Sequence, residues 1–270
     1  MIGGRAAPGL LDAIVAGQRA IVAERRSRVP LRLLWTLADR REPRGARFRE
    51  ALSGMASVNI IAECKRRSPA RGVLAREYRP AAIAGAYERG GAAAISVLTE
   101  PTFFDGALAH LEAVRAAVDL PVLRKDFIVD EYQLAEARAA GADAVLLIVA
   151  ALDARRLRAL LLAADGAGLA TLVEVHDARE LDAAVQAGAR VVGVNSRNLR
   201  TLDVDLGVCE RLAPQVPADI VAVAESGVRT ADDISRLRAA GFRAFLIGER
   251  LMTAADPAGM LTSLRAAGGA

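Results

Sequence analysis

An alanine-rich, helix-like segment that ends in glycine and runs straight into a short apolar stretch recurs along this chain. That recurrence limits the fold more than any other feature. The junctions are Gly90-Gly91-Ala92, Ala140-Gly141-Ala142, Ala167-Gly168-Leu169, Ala187-Gly188-Ala189 and Ala240-Gly241-Phe242. A glycine just past a helix takes the left-handed conformation from which the chain turns into a strand. Gly141 to Gly168 is 27 residues and Gly168 to Gly188 is 20, whereas Gly91–Gly141 and Gly188–Gly241 each span two units. A unit of about 20–27 residues is the size of one strand plus one helix.

The apolar runs number eight: Asn59–Cys64, Ala93–Leu98, Pro121–Leu123, Asp143–Val149, Thr171–Val175, Val191–Val194, Ile220–Ala224 and Ala244–Ile247. Most are continuously apolar, as parallel strands covered by helices are. Helical patterns such as Glu131–Ala140 and Ala154–Ala167 lie between them. Eight such units in about 210 residues fit an α/β chain closed into a single (β/α)8 TIM barrel. An open doubly wound sheet is the alternative, and the lack of G-x-G-x-x-G after the first strand counts against its dinucleotide-binding form.

Residues 1–58 precede the repeats and read as an N-terminal helical extension packed on the barrel, so that 1–270 forms one barrel domain. Leu10–Arg28 has an amphipathic pattern carried by Leu11, Ile14, Val15, Ile21 and Val22, and Phe48, Leu52 and Met55 indicate a second short helix. The basic stretch Arg25–Arg49 reads as a solvated helix-and-loop face, and Trp35 within it as packing. The longest apolar run, Ala144–Leu152, is too short to span a membrane, and Met1–Arg5 begins no signal-peptide pattern. Cys64 and Cys209 make neither a disulfide framework nor a zinc spacing. A cytoplasmic protein is expected, with no membrane and no nucleic acid as partner. The net charge of +4 favours anionic small substrates and does not by itself indicate nucleic acid.

Of 36 basic residues only two are lysines, Lys65 and Lys125. Arginine stays protonated at any accessible pH, while a lysine can be tuned to give and take a proton. In a barrel the chemistry is built where the strands end. The strand ends read Glu63-Cys64-Lys65, Thr99-Glu100, Arg124-Lys125-Asp126, Glu174 with His176, Asn195-Ser196-Arg197, Glu225-Ser226-Gly227 and Gly248-Glu249. Both lysines therefore fall on one rim. Glu63 and Lys65, two apart, share a strand face, and Cys64 points the other way, into the layer beneath the helices. Carboxylates within apolar strands need partners. Glu63 and Glu174 are therefore either site residues or members of structural salt bridges. Ser226-Gly227 and Gly248, on adjacent strands, resemble the two loops with which barrels hold a phosphate on backbone N–H groups. His176 is either a base or an exposed loop histidine, His110 and Cys209 read as structural, and Arg197 is either an anion ligand or a surface residue.

Longer stretches resemble one family. Ile61-Ala62-Glu63-Cys64-Lys65-Arg66-Arg67-Ser68-Pro69, Val97-Leu98-Thr99-Glu100 with Phe103-Phe104-Asp105-Gly106, and Leu123-Arg124-Lys125-Asp126-Phe127-Ile128 are similar to signatures of the indole-3-glycerol phosphate synthases. So are Leu172–His176, Gly193–Leu199, Ala224–Val228 and Ile247–Met252, in the same order and over nearly the whole chain. The resemblance implies decarboxylative, dehydrating ring closure of 1-(2-carboxyphenylamino)-1-deoxyribulose 5-phosphate in tryptophan biosynthesis. It implies no metal and no organic cofactor, and a monomer or weak homodimer.

The resemblance implies Lys125, Glu174, Lys65, Glu63, Asn195 and Glu225 as catalytic, with Lys125 the acid. It does not divide the work among Glu63, Lys65 and Glu174. Ser226, Gly227, Gly248, Glu249, Ser68 and Arg197 are carried over as substrate- and phosphate-binding residues, and Phe104 and Phe127 as the lining of an anthranilate pocket. Two positions depart from the family's pattern. Ala70 stands where a serine is common, and Glu249 where a small hydroxyl residue is common, so Glu249 is expected to offer backbone N–H with its side chain turned away. The rivals are a phosphoribosylanthranilate isomerase, which would need a cysteine at the rim, a homologue recruited to a modified indole, and a non-catalytic sugar-phosphate-binding barrel.

Overall fold

Eight parallel strands close on themselves in the computed structural model, which describes residues 9–42, 44–54, 57–199 and 201–266. They are β1 (Asn59–Cys64), β2 (Ala94–Leu98), β3 (Val122–Lys125), β4 (Ala144–Ile148), β5 (Ala170–Val175), β6 (Val191–Asn195), β7 (Val221–Glu225) and β8 (Ala244–Ile247). Each pairs with its neighbour in sequence, and β1 closes on β8 with Asn59 opposite Ala244 and Ala62 opposite Ile247. The architecture is the expected (β/α)8 barrel. Three strands run further than their apolar residues do, to Lys125, Asn195 and Glu225, because the ladder continues there with Leu98 opposite Lys125 and Asn195 opposite Glu225. At the five junctions Gly91, Gly141, Gly168, Gly188 and Gly241 have positive φ, from 70° at Gly168 to 114° at Gly241. A side chain there would be strained.

Strand parity divides the apolar residues into two cores. Ile60, Val97, Val145, Val173 and Phe245 face outward under the helices. Ile61, Leu123, Leu146, Leu172 and Leu246 fill the barrel. Cys64 is fully buried in the outer layer, as parity requires, and burial raises its thiol well above the usual range.

The segment before β1 touches both ends of the barrel. Helix α1 (Leu10–Arg28) has the expected bounds and sets Leu10, Leu11 and Ile14 beside Phe103, Phe104 and Phe127 near the strand C-termini. Helix α3 (Gly45–Ser53) inserts Phe48 and Leu52, both fully buried, into the interior core. Its first residue must be small, since a Cβ on Gly45 would lie 2.5 Å from the backbone of Gly168 and Ala170. Met55, Met1–Arg5 and their part in the sequence reading lie outside the described residues.

The stretch Arg25–Arg49 is largely exposed, as expected, but one face of it is packed on the barrel. A further helix, α2 (Leu31–Ala38), buries Ala38 and packs Leu34 against Tyr132 and Ala135 of the helix Glu131–Ala140. Arg25 reaches the buried carboxylate of Glu136 at 3.0 Å. Among the described residues no helix is long and apolar enough to cross a membrane.

Candidate active site

The interior side chains at the strand C-termini enclose a cavity of about 370 Å³. Inward parity supplies Glu63 and Lys65 from the end of β1, Lys125 from β3, Glu174 from β5, Asn195 from β6 and Glu225 from β7. Gly248, just past β8, completes the ring.

Two ion-paired groups share this chamber. Lys65 Nζ donates to Glu63 Oε1 at 2.6 Å. Lys125 Nζ donates to Glu174 Oε2 at 2.8 Å and to Glu225 Oε2 at 2.6 Å. All three carboxylates are buried. Asn195 Nδ2 donates to the second oxygen of Glu174 at 3.0 Å, and Asn195 Oδ1 accepts the Arg197 backbone N–H at 3.0 Å, which fixes the amide's orientation. The chain's only two lysines are thus the two cations at the centre.

Mutual proximity sets the protonation states. Burial works against the Lys125 ammonium, but Glu174, Glu225 and Glu63 outweigh it and hold the proton more tightly than on an ordinary lysine. Burial also works against the Glu174 carboxylate, but Lys125 and His176 outweigh it and keep the carboxyl well below the usual range. Glu225 goes the other way. Burial, together with repulsion from Glu174, pushes it up to about 7 despite Lys125. Two adjacent carboxylates thus titrate far apart, the arrangement in which one side chain serves as base and another carries a proton.

The loops after β7 and β8 form one wall. Ser226 and Gly227 both have left-handed backbone, φ 62° and 82°, and turn the chain sharply across the mouth. Gly248 precedes the single helical turn Glu249–Met252, and both Gly248 and Glu249 line the cavity where the first N–H groups of that turn have no intrahelical partner. Glu249 lines the cavity, with its carboxylate 2.9 Å from Arg71 Nη2. The side chain expected to turn away from this wall is thus paired at it with a cation from the loop after β1.

Phe104 and Phe127 line the opposite side, with ring centroids 6.3 Å apart. Glu100, two residues past β2, is no part of the chamber. Its carboxylate accepts the backbone N–H groups of Thr102, Phe103 and Phe104 at 2.9, 2.7 and 3.2 Å and so holds the turn that presents Phe104. Arg197 lines the cavity while its guanidinium donates to Leu202 O at 2.9 Å. Ser68 stands apart, in an adjoining cavity of about 90 Å³, and its Oγ accepts the Arg71 N–H at 3.3 Å.

His176 is neither of the two things expected of it. It is half-buried behind Glu174, with Nε2 3.4 Å from Glu174 Oε1 and Nδ1 2.9 Å from Glu180 Oε2. Sequence reasoning missed Arg71, Arg229 and Arg250 on the cavity wall, and Arg124 beneath it. Among thirty-four arginines none of these carries a distinguishing signal, although the spacing of Arg71, three residues after Ser68, places it on the same loop.

Comparison with known proteins agrees with this geometry. In solved structures the fold is similar to thiamine phosphate pyrophosphorylase from Pyrococcus furiosus, with a TM-score of 0.61 and 18% identity over 80% of this chain and 95% of that one. In sequence the chain is 53% identical over 264 residues to indole-3-glycerol phosphate synthase 1 of Streptomyces coelicolor, covering 96% of each. It is 55% identical over 253 residues to the indole-3-glycerol phosphate synthase of a Nocardioides species, covering 93% of this chain and 95% of the relative. Residues 11–264 match the family model described as indole-3-glycerol phosphate synthase, and the chain belongs to that family.

Proposed function

We propose that this chain closes the indole ring in tryptophan biosynthesis, converting 1-(2-carboxyphenylamino)-1-deoxyribulose 5-phosphate to indole-3-glycerol phosphate with release of carbon dioxide and water. The observation that carries this reading is Lys125, held between Glu174 and Glu225 in a chamber with glycine-bearing loops on one side and two phenylalanines on the other. The substrate's phosphate goes to the backbone of Ser226, Gly227 and Gly248, and its benzene ring to Phe104 and Phe127. Lys65 meets the substrate's anionic groups.

Lys125 gives its proton to the ketone oxygen as the ring carbon that bears the carboxylate attacks the ketone carbon. The carboxylate leaves as carbon dioxide and its electron pair restores the aromatic ring. A second proton lets the new hydroxyl leave as water, while a carboxylate takes a proton from the neighbouring CH2. Glu174, kept ionised by its neighbours, suits the base, and Glu225, which carries a proton near neutrality, suits relay to Lys125. Glu63 holds Lys65 in place, and Asn195 orients Glu174 without adding charge.

The helices before β1 work as one unit with the barrel on this reading, since Ile14 and Phe48 belong to its interior core. One chain supplies every side chain named, so a monomer or weak homodimer suffices. Free, buried Cys64 and Cys209 suit the reducing cytoplasm. The outward burial of Cys64 disfavours the isomerase chemistry that would need a thiol at the rim.

Single-turnover fluorescence of indole formation tests the proposal, with Lys125→Arg as the comparison. Indole from the parent, and a loss of roughly a hundredfold in the variant, supports both the reaction and the proton donor. Equal rates would remove Lys125 from the mechanism. No indole from the folded parent would overturn the reaction.

A further inference from the structure

A row of alternating charges runs from the surface to the centre of the barrel mouth. Glu180, in the first turn of the helix Ala178–Ala187, accepts His176 Nδ1 at 2.9 Å and also the His176 backbone N–H at 2.9 Å. His176 Nε2 lies 3.4 Å from Glu174 Oε1, and Glu174 Oε2 accepts Lys125 at 2.8 Å. Lys125 in turn reaches Glu225. His176 does not line the cavity. It stands behind the carboxylate, where an imidazole is out of reach of substrate but in contact with the group that faces it.

We propose that His176, braced by Glu180, is a positioning residue for Glu174, holding one carboxylate oxygen so that the other stays directed at Lys125 and the reacting carbons. The inference rests on the proposed role of Glu174 as base. Asn195 Nδ2 hydrogen-bonds Oε1, and the His176 ring stands 3.4 Å from the same oxygen, so a cationic ring backs electrostatically the orientation that the amide sets.

The charged groups around the pair favour an imidazolium. Glu180 faces it from the helix Ala178–Ala187, and Glu174 from its own strand. Asp177 is turned away, since its carboxylate accepts the Glu180 N–H at 2.8 Å. The turn Val149–Ala151, packed against both the strand and this helix, brings no charge, and β6 brings only neutral Asn195. On the far side of Glu174 stand Lys125 and, beyond it, Glu225 and Glu63. Burial works against the charged ring, but Glu174 and Glu180 outweigh it and raise His176 to about 10. At neutral pH the imidazolium therefore adds a second cation, besides Lys125, that keeps Glu174 ionised.

The test compares His176→Gln and Glu180→Gln with the parent in kcat, KM and the pH profile of kcat, with thermal melting to confirm folding. Glutamine at 176 retains a hydrogen-bond donor and loses the charge. Expected is a fall in kcat of about tenfold with KM within about twofold. The acid limb of the profile should also move up by about one pH unit, because Glu174 has lost a neighbouring cation. Glu180→Gln keeps the imidazolium at acid pH and removes only its brace, so kcat should fall by less, with KM again within about twofold. Parent-like kcat and limb in His176→Gln would overturn the proposal. So would a fall in kcat with an unmoved limb, which is what a packing role alone gives. Where His176→Gln fails to fold, Glu180→Gln decides, and a parent-like kcat overturns the proposal. Failure of the underlying reaction is distinct, because the parent itself would then form no indole.

Discussion

Gly193 lies so close beneath Glu225 that a Cβ at position 193 would overlap Glu225 Oε1 and stand 2.9 Å from its Cδ. Both are inward residues, on the adjacent strands β6 and β7. The missing side chain at 193 is therefore the space that the Glu225 carboxylate occupies when it pairs with Lys125. Gly193→Ala should push Glu225 off Lys125. Expected is a loss of tenfold or more in kcat, the scale of a misplaced acid-base group. The accompanying loss of stability should be about 1–3 kcal/mol from overpacking. Turnover and denaturant unfolding on the same preparation check both. Unchanged turnover would mean that the carboxylate's position does not matter.

The strands and most of the rim were legible in the sequence, because continuous apolar runs and period-2 parity are local signals. Two lysines in an arginine-rich chain marked the centre for the same reason. Arg124 was not legible, since only Asp126 is its neighbour in sequence, and Thr99, Gln133 and Glu136 reach it once β2, β3 and the following helix pack together. Helix α2 was hidden because Leu34 and Ala38 are two buried residues in a segment dominated by charge. The His176–Glu180 pair did have a local signal, the i, i+4 spacing, but its meaning depends on Glu174 lying on the other side of the ring.

Glu225 makes a prediction about stability and pH. Its carboxyl rises from an ordinary 4.5 to about 7 in the folded protein. A raised carboxyl means that the folded state holds the proton more tightly than the unfolded state. Its contribution is fully present below about pH 4.5 and is lost as pH rises through about 7. Glu225→Gln mimics the protonated form at every pH. The variant should therefore be more stable than the parent at pH 8, by about 1–3 kcal/mol, with the difference shrinking toward pH 5. Denaturant unfolding at the two pH values reads this directly. A difference independent of pH would contradict the assignment.

Arg124 carries a prediction about folding. It is fully buried, and its guanidinium donates to Thr99 Oγ1 at 3.1 Å, Gln133 O at 2.7 Å, Glu136 Oε2 at 3.1 Å and Asp126 Oδ2 at 2.9 Å. Through Glu136 the same network reaches Arg25 of α1. An ammonium is a compact donor and cannot span these four directions. Arg124→Lys should leave buried acceptors unpaired and destabilise the chain by about 3–5 kcal/mol. Proteolysis within α1 should accelerate, because that helix loses an anchor. A melting temperature equal to the parent's would show that the network adds nothing net.

Arg71 and Glu249 separate binding from catalysis. Their 2.9 Å pair is largely exposed, so it adds little to stability. Its importance lies in where Glu249 sits, on the wall beside Gly248 where the phosphate is proposed to bind. Arg71→Gln would leave a carboxylate uncompensated next to a dianion. The repulsion acts on bound substrate and transition state alike, so KM should rise several-fold while kcat stays within about twofold. Glu249→Gln alone should leave KM unchanged or lower it. The double variant should recover much of what Arg71→Gln loses, because the repelling charge is gone. Steady-state kinetics on the four proteins at low ionic strength makes the cycle, and the rise in KM should shrink with added salt. A rise of equal size in Arg71→Gln and in the double variant would show that Arg71 binds substrate directly, and that its pairing with Glu249 is incidental.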